Sequence, residues 1–324
     1  MPEATETRPA GLTAAIALCA TGIVAGLLGP QLLAGSGGDG ALATWTTVFV
    51  SIIVQALPFL ALGVALSAAV TAFIPASVWQ KALPRHPVAA VPVGVAAGAL
   101  LPGCECASVP VADRLIRQGV TPAAAVAFLL SAPAINPAVI VSTAVAFPGR
   151  PGMVLARVAA SAVTALIVGW CWTRWTDTAW PSVAARASAE GSRWERFRLT
   201  AQHDLFQGGG FLILGAALSA TLNVAIPASW VQSAAAVPVL SALLMGLLAV
   251  VLCICSEADA FVAASLSTFP PSAQLAFMVV GPAVDLKLIA MQAGTFGRSF
   301  VLRTAPLAFV IAILTSLLAG SLVS

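Results

Sequence analysis

The sequence predicts an all-α polytopic membrane protein made of two internal repeats of inverted topology, each with a re-entrant or broken helix that carries a Cys-x-Cys element. Three observations predict it. Sixty per cent of the 324 residues are hydrophobic and 8% are charged, and the mean hydropathy is +0.99. A soluble domain of this length has no use for so much apolar surface. Next, FLALGVALSAAVTAFIPASVWQ (59–80) returns as FLILGAALSATLNVAIPASWVQ (211–232), identical at 13 of 22 positions and offset by 152. Finally, Cys104-Glu105-Cys106 and TPAAAVAFLLSAPAIN (121–136) face Cys253-Ile254-Cys255 and PPSAQLAFMVVGPAVD (270–285) at an offset of 149. A long duplication in an apolar chain marks a transporter with repeated halves.

The elements follow in order. Residues 12–34 come after a short polar start with Arg8 and lack a small-residue cleavage site. They read as a retained span within an N-terminal extension, 1–44, and not as a removed signal peptide. Apolar segments at 45–74, 88–102, 121–147 and 153–175 form the first repeat, 45–175. The polar stretch 176–204, with Arg186, Arg193, Arg196 and Arg198, is a linker on the cytoplasmic side with room for a short surface helix. Segments 205–226, 236–255, 272–296 and 300–322 form the second repeat, 205–324. Gly and Pro recur inside these segments, as they do in membrane helices. Tyr is absent, so Trp79, Trp230 and the cluster Trp170, Trp172 and Trp175 are the expected interfacial anchors. The six cysteines lie in or beside apolar spans, which argues against a secreted disulfide framework.

Charge selects the topology. If all nine segments cross, the 14 Lys and Arg other than Lys287 divide 7 to 7, which carries no orientation signal. Segment 88–102 has only 15 residues where roughly 20 are needed to span, and it ends at the breaker Pro102-Gly103. With both Cys-x-Cys elements at the tips of re-entrant hairpins, the division becomes 12 to 2, and only Arg150 and Arg157 lie outside. Seven full spans, two hairpins, a cytoplasmic N-terminus and inverted halves follow from that choice. The net charge of +3 sits between helices and gives no case for a nucleic-acid partner; the partner is a lipid bilayer.

Three groups of residues carry candidate chemistry. Cys104, Cys106, Cys253 and Cys255 are soft ligands suited to copper(I), zinc or trivalent arsenic-type species. If the two tips meet, four sulfurs at one point match a tetrahedral zinc site. Small-residue packing is the bland alternative for a cysteine in a membrane. Glu257 and Asp259, flanked by apolar sequence, mark a pathway or proton relay, unless they sit in a surface loop. Asn136 and its counterpart Asp285 lie at Pro-broken points of their spans, where backbone groups open towards a substrate or ion. Asn136 could instead serve only to cap its own broken helix. Lys287 needs a partner among Asp285, Asp259 and Glu257, or else snorkels to the interface. Asp113, Arg114 and Arg117 read as a positive-inside anchor. No Walker A, H-E-x-x-H or G-x-S-x-G pattern occurs, so neither an enzyme nor a cofactor is expected.

GCECASVPVADRLIRQGVTPAAAVAFLLSAPAINP (103–137) resembles the signature of the ArsP-type predicted permeases, and CSEADAFVAASLSTFPPSAQLAFMVVGPAVDLKL (255–288) resembles its second half. The resemblance covers about residues 45–320. It implies an inner-membrane permease for a thiol-reactive solute such as a trivalent organoarsenical. Cys104, Cys106, Pro133, Asn136 and Pro137 match the motif's own positions, and Cys255, Glu257, Asp259 and Asp285 match the second-half pattern. Glu105 departs from it by adding a hard anionic ligand, which leaves room for a transition metal such as zinc.

The expected function is therefore a secondary permease that exports a soft metal or metalloid. Two other classes stay open: a membrane thiol-redox protein, and a non-transporting subunit that holds a metal-handling partner protein. The usual C-x-x-C on a soluble redox unit is missing.

Overall fold

A computed structural model describes residues 40–73, 86–100, 105–175, 192–225 and 238–323. The segment 12–34, the Pro102-Gly103 break, Cys104, Trp79 and Trp230 lie outside the described residues. Among the described residues the fold is all helix, in twelve helices: α1 (Gly40–Phe73), α2 (Pro87–Leu100), α3 (Glu105–Arg117), α4 (Pro122–Ser131), α5 (Pro137–Ala146), α6 (Pro151–Arg174), α7 (Arg193–Ala225), α8 (Pro238–Leu252), α9 (Asp259–Ser265), α10 (Pro271–Ala283), α11 (Leu286–Phe296) and α12 (Arg298–Ser321). Proline opens α2, α4, α5, α6, α8 and α10, where its fixed φ suits a helix start and its missing N–H would have had no helical partner.

The order of lengths repeats. Helices α1 and α7 have 34 and 33 residues, α2 and α8 have 14 and 15, and α6 and α12 both have 24. Buried positions of α2, namely Ala90, Val91, Gly94 and Gly98, have buried counterparts 151 residues on, at Ser241, Ala242, Met245 and Ala249. Among the described residues, three stretches are long and apolar enough to cross a membrane: α6, α10 with α11, and α12.

Packing gives two three-helix groups. Helices α2, α4 and α6 pack on one another, as do α8, α10 and α12. The groups meet where α6 lies against α12 and α10, and Thr164 and Thr315 share a buried hydrogen bond of 2.9 Å there. The long pair α1 and α7 packs together and against α3 and α11. In α2, Gly94 and Gly98 lie against the α4 backbone, a small-xxx-small contact that brings two membrane helices close.

Two sequence expectations change here. The helix expected to begin at 205 begins at Arg193, so the end of the 176–204 segment forms the first turns of α7. Its apolar second half carries the polar first turns as one continuous helix. Trp172 is also not an interfacial anchor. It is buried, with ring centroids 5.5 Å from Trp175 and 5.1 Å from Phe300, while Trp170 is exposed. On one helix these two residues point in different directions.

Candidate functional site

Each site begins with a broken helix. Helix α4 ends at Ser131 and the chain restarts as α5 after Asn136, whose side chain accepts from Val139 N at 3.0 Å and donates to Ala132 O at 2.9 Å. Asn136 thus bridges the break. In the other half α10 ends at Ala283 and α11 starts after Asp285, whose Oδ1 accepts from Leu288 N at 2.5 Å. Both residues are N-caps, a role that Asn and Asp fill because a short side chain can satisfy an orphan N–H. The capping role considered for Asn136 is the observed one, and Asp285 shares it.

The breaks face short helices from the opposite half. Helix α3, which starts beside the first Cys-x-Cys, packs on α11, and α9, which follows the second, packs on α5. A buried ion pair occupies each junction. At α3–α11, Lys287 Nζ donates to Glu105 Oε1 at 2.5 Å and lies 3.8 Å from Asp285 Oδ2. At α9–α5, Arg157 donates to Asp259 Oδ2 at 2.8 Å, Ser256 O at 3.0 Å and Thr143 Oγ1 at 2.8 Å. Glu105, Asp285, Lys287, Arg157 and Asp259 are each at most 2% exposed. Buried ions in a membrane chain are costly unless paired, and usually functional.

Several expectations are corrected by this geometry. Lys287 does not snorkel, and its main partner is Glu105, 182 residues away. Asp285 is its second neighbour, while Asp259 pairs with Arg157. Arg157 is not a loop charge: it lies about two turns inside α6 and is fully buried. Removing it from the outer-side count leaves Arg150 alone there against twelve, so the orientation argument keeps its sign. Asp113 and Arg117 form an ordinary i,i+4 pair at 2.7 Å.

Among the described cysteines, Cys253 stands apart from Cys106 and Cys255. Cys106 sits buried in the first turn of α3. Cys255 donates to Glu257 Oε2 at 2.7 Å, and it shares a buried cluster with Cys106. Cys253 packs apart, with Ile52 of α1 and Ala216 of α7, and donates to Val250 O at 3.4 Å. Cys106, Cys171, Cys253 and Cys255 form no disulfide, and among the described residues no three His, Cys, Asp or Glu side chains form a metal-ligand group. Among the described residues the Cys255 sulfur is turned to Glu257 and the Cys253 sulfur to Val250 O, and the fourth cysteine of the expected zinc arrangement, Cys104, lies outside them.

Cys253 has φ +51°, the left-handed region where a helix usually ends on glycine. Replacing it by glycine should relieve that backbone and forfeit the burial of one sulfur, each worth about 1 kcal/mol. The expected result is a thermal stability in detergent within about 1 kcal/mol of wild type. A loss well beyond that would make Cys253 a packing residue whose sulfur the fold depends on.

Reasoning from sequence missed Arg157, Thr143 and Ser256, and treated Glu105 only as a departure. Arg157 could have been found, because an arginine inside the apolar run 153–175 is itself a signal. Thr143 and the Ser256 carbonyl carry no such signal.

Broken helices, buried opposite charges and long apolar helices are features that membrane permeases use. The chain belongs to the ArsP-type predicted permease family, whose model matches residues 41–321. It is 34% identical over 280 residues to the UPF0718 protein YcgR of Bacillus subtilis, covering 84% of this chain and 95% of that one. It is 31% identical over 282 residues to a Streptococcus mutans protein named as a two-component membrane permease complex subunit, covering 84% and 94%. No solved structure matches.

Proposed function

We propose that the chain is an inner-membrane secondary permease that exports a soft metal or metalloid, a trivalent organoarsenical or a transition metal such as zinc. One observation carries the reading: the helix beside each Cys-x-Cys packs on the broken helix of the other half, with carboxylates buried at the junction. Cys104, Cys106, Cys253 and Cys255 are the thiol ligands in this reading. Asn136 lines the path, and Glu257, Asp259 and Asp285 supply counter-charge or carry protons. The halves, 45–175 and 205–324, are repeats of inverted topology, and the reciprocal contacts of α3 with α11 and α9 with α5 support that. Rocking of one half against the other would expose the junctions to each side in turn.

The name of the Streptococcus mutans relative favours a second protein in the working complex. A metal-handling partner fits a permease of thiophilic solutes, and a non-transporting subunit is the competing reading.

Uptake into everted membrane vesicles tests the proposal, with trivalent methylarsenical and zinc offered in parallel to wild type and Cys104→Ser/Cys106→Ser. Energy-dependent accumulation of either solute, lost in the variant, is the expected result. Accumulation of neither, or accumulation that ignores the cysteines, would overturn it. Activity of the purified chain after reconstitution separates a permease from a passive subunit.

A further inference from the structure

Among the described residues two buried ion pairs join the halves, and neither is a product of the repeat. Each takes its cation from one half and its anion from the other: Arg157 with Asp259 at 2.8 Å, and Lys287 with Glu105 at 2.5 Å. At the offset of 149, Lys287 faces Ala138, Glu105 faces Ile254 and Asp259 faces Pro110. Arg157 is the seventh residue of α6, and the seventh of α12 is Thr304, which is buried too. The equivalent elements therefore carry no charge at any of the four places. Each half is a control for the other: helix packing alone does not call for these ions, and their burial is costly.

The pairs also divide between the two faces of the membrane. From the Lys287–Glu105 pair, α3 and α11 run towards Arg117 and Arg298, which the charge-selected topology puts in the cytoplasm. Helices α9 and α5 end on the side of Arg150, which it puts outside. At that outer end a cavity of about 540 Å³ opens between the halves, lined by Phe147 and Arg150 from one and by Ala264, Phe269 and Gln274 from the other. The matching inner end is filled. Leu115 stands there at the place of Ala264, in one buried cluster with Val120 and Phe296.

We propose that the two ion pairs are two gates: Lys287–Glu105 holds the cytoplasmic junction shut, Arg157–Asp259 holds the outer one shut, and each opens while the other stays closed. An ion pair suits this task. In the closed junction the two charges neutralise each other, and in the open one water hydrates both, so parting them returns the desolvation that burial cost. An apolar contact gains nothing from water when it parts. Both pairs are made in this structure, with the cavity lying outside the outer gate. The inference deepens the permease reading and rests on it for its biological meaning, but the face that each pair guards is read without transport.

The experiment labels single-cysteine versions of the full chain in sealed vesicles, with a charged maleimide that does not cross the bilayer. Cys106, next to Glu105, reports on the inner gate. Cys255, next to the Ser256 whose carbonyl Arg157 holds, reports on the outer one, and both cysteines are buried. Lys287→Met should raise the labelling rate of Cys106 about ten-fold in everted vesicles and leave it unchanged in right-side-out ones. Arg157→Gln should raise that of Cys255 about ten-fold in right-side-out vesicles only. Lys287→Arg, which keeps a cation in place, should label like wild type. The double variants Lys287→Met/Glu105→Gln and Arg157→Gln/Asp259→Asn separate a gate from a prop, and they stand in if a single variant does not fold. In them neither member of the pair is left alone, and Asp285 keeps its bond to Leu288 N. A prop would be restored, whereas a gate should stay open at its own face. Labelling that does not rise, that rises at both faces alike, or that returns to wild type in the double variants would overturn the proposal. Vesicles that move neither solute but label at one face only would reject the permease reading and keep the gates. Active vesicles labelled alike at both faces would reject the gates alone.

Discussion

Arg157→Gln is expected to lose about 3–5 kcal/mol of stability, because it leaves the Asp259 carboxylate buried without its partner. Arg157 ties three places together: Thr143 on α5, the Ser256 carbonyl of the turn after the second Cys-x-Cys, and Asp259 on α9. Two of these lie about a hundred residues away in the other half, so the guanidinium joins the halves. Asp259→Asn should cost a similar amount, since it strands the arginine. The double variant Arg157→Gln/Asp259→Asn should recover most of the loss, because neither charge is then buried alone. A double-mutant cycle measured by unfolding in detergent should give a coupling of at least about 2 kcal/mol. The internal control is Arg117, paired with Asp113 but 25% exposed, for which Arg117→Gln should cost no more than about 1 kcal/mol. Should Arg157→Gln unfold no more easily than Arg117→Gln, the junction would not depend on that pair.

The second large effect concerns the approach of α2 to α4. A Cβ on Gly94 would run into the backbone carbonyl of Ala124. One on Gly98 would meet the Ser131 hydroxyl and lie 2.8 Å from Ala132 N and 3.1 Å from Phe128 O. The obstacles include backbone atoms next to the α4 break, which no rotamer change can move away. Gly94→Ala or Gly98→Ala should each cost about 1–3 kcal/mol, and leucine at either place should prevent the two helices from docking. Thermal unfolding and gel filtration of the detergent-solubilised variants check this. Gly281→Ala is the contrast. Its added Cβ meets only Ala249 Cβ at 3.7 Å, ordinary contact, and the first repeat already has Ala132 at that position by the offset of 149. It should be tolerated, and an equal loss in Gly281→Ala would mean that close α2–α4 packing is not the cause.

The sequence by itself determined whatever depends on composition or on neighbours a few residues apart. The apolar content required a membrane, and among the described residues three stretches are long and apolar enough to cross one. Prolines fixed where helices start, and Asn136 and Asp285 were legible as special points because they sit at Pro-marked breaks. Their capping bonds span only three residues, a distance over which sequence pattern carries structural information. The cysteines were legible as a pair of pairs, but the direction of each sulfur was not.

Only the tertiary structure decided who neutralises whom. Lys287 could not be matched to Glu105, nor Arg157 to Asp259, by spacing, because contacts 182 and 102 residues apart have no period. The nearer acids looked the better partners for Lys287, and packing overruled them: α3 lies against α11 and α9 lies against α5. Burial was likewise invisible in advance. A position a few residues into an apolar run can be a loop charge or an enclosed one, and for Arg157 the helix that starts at Pro151 settles the difference. The physical reason is that a low-dielectric interior makes every ion find a counter-ion, and the chain meets that demand in space, wherever the sequence has placed the two charges.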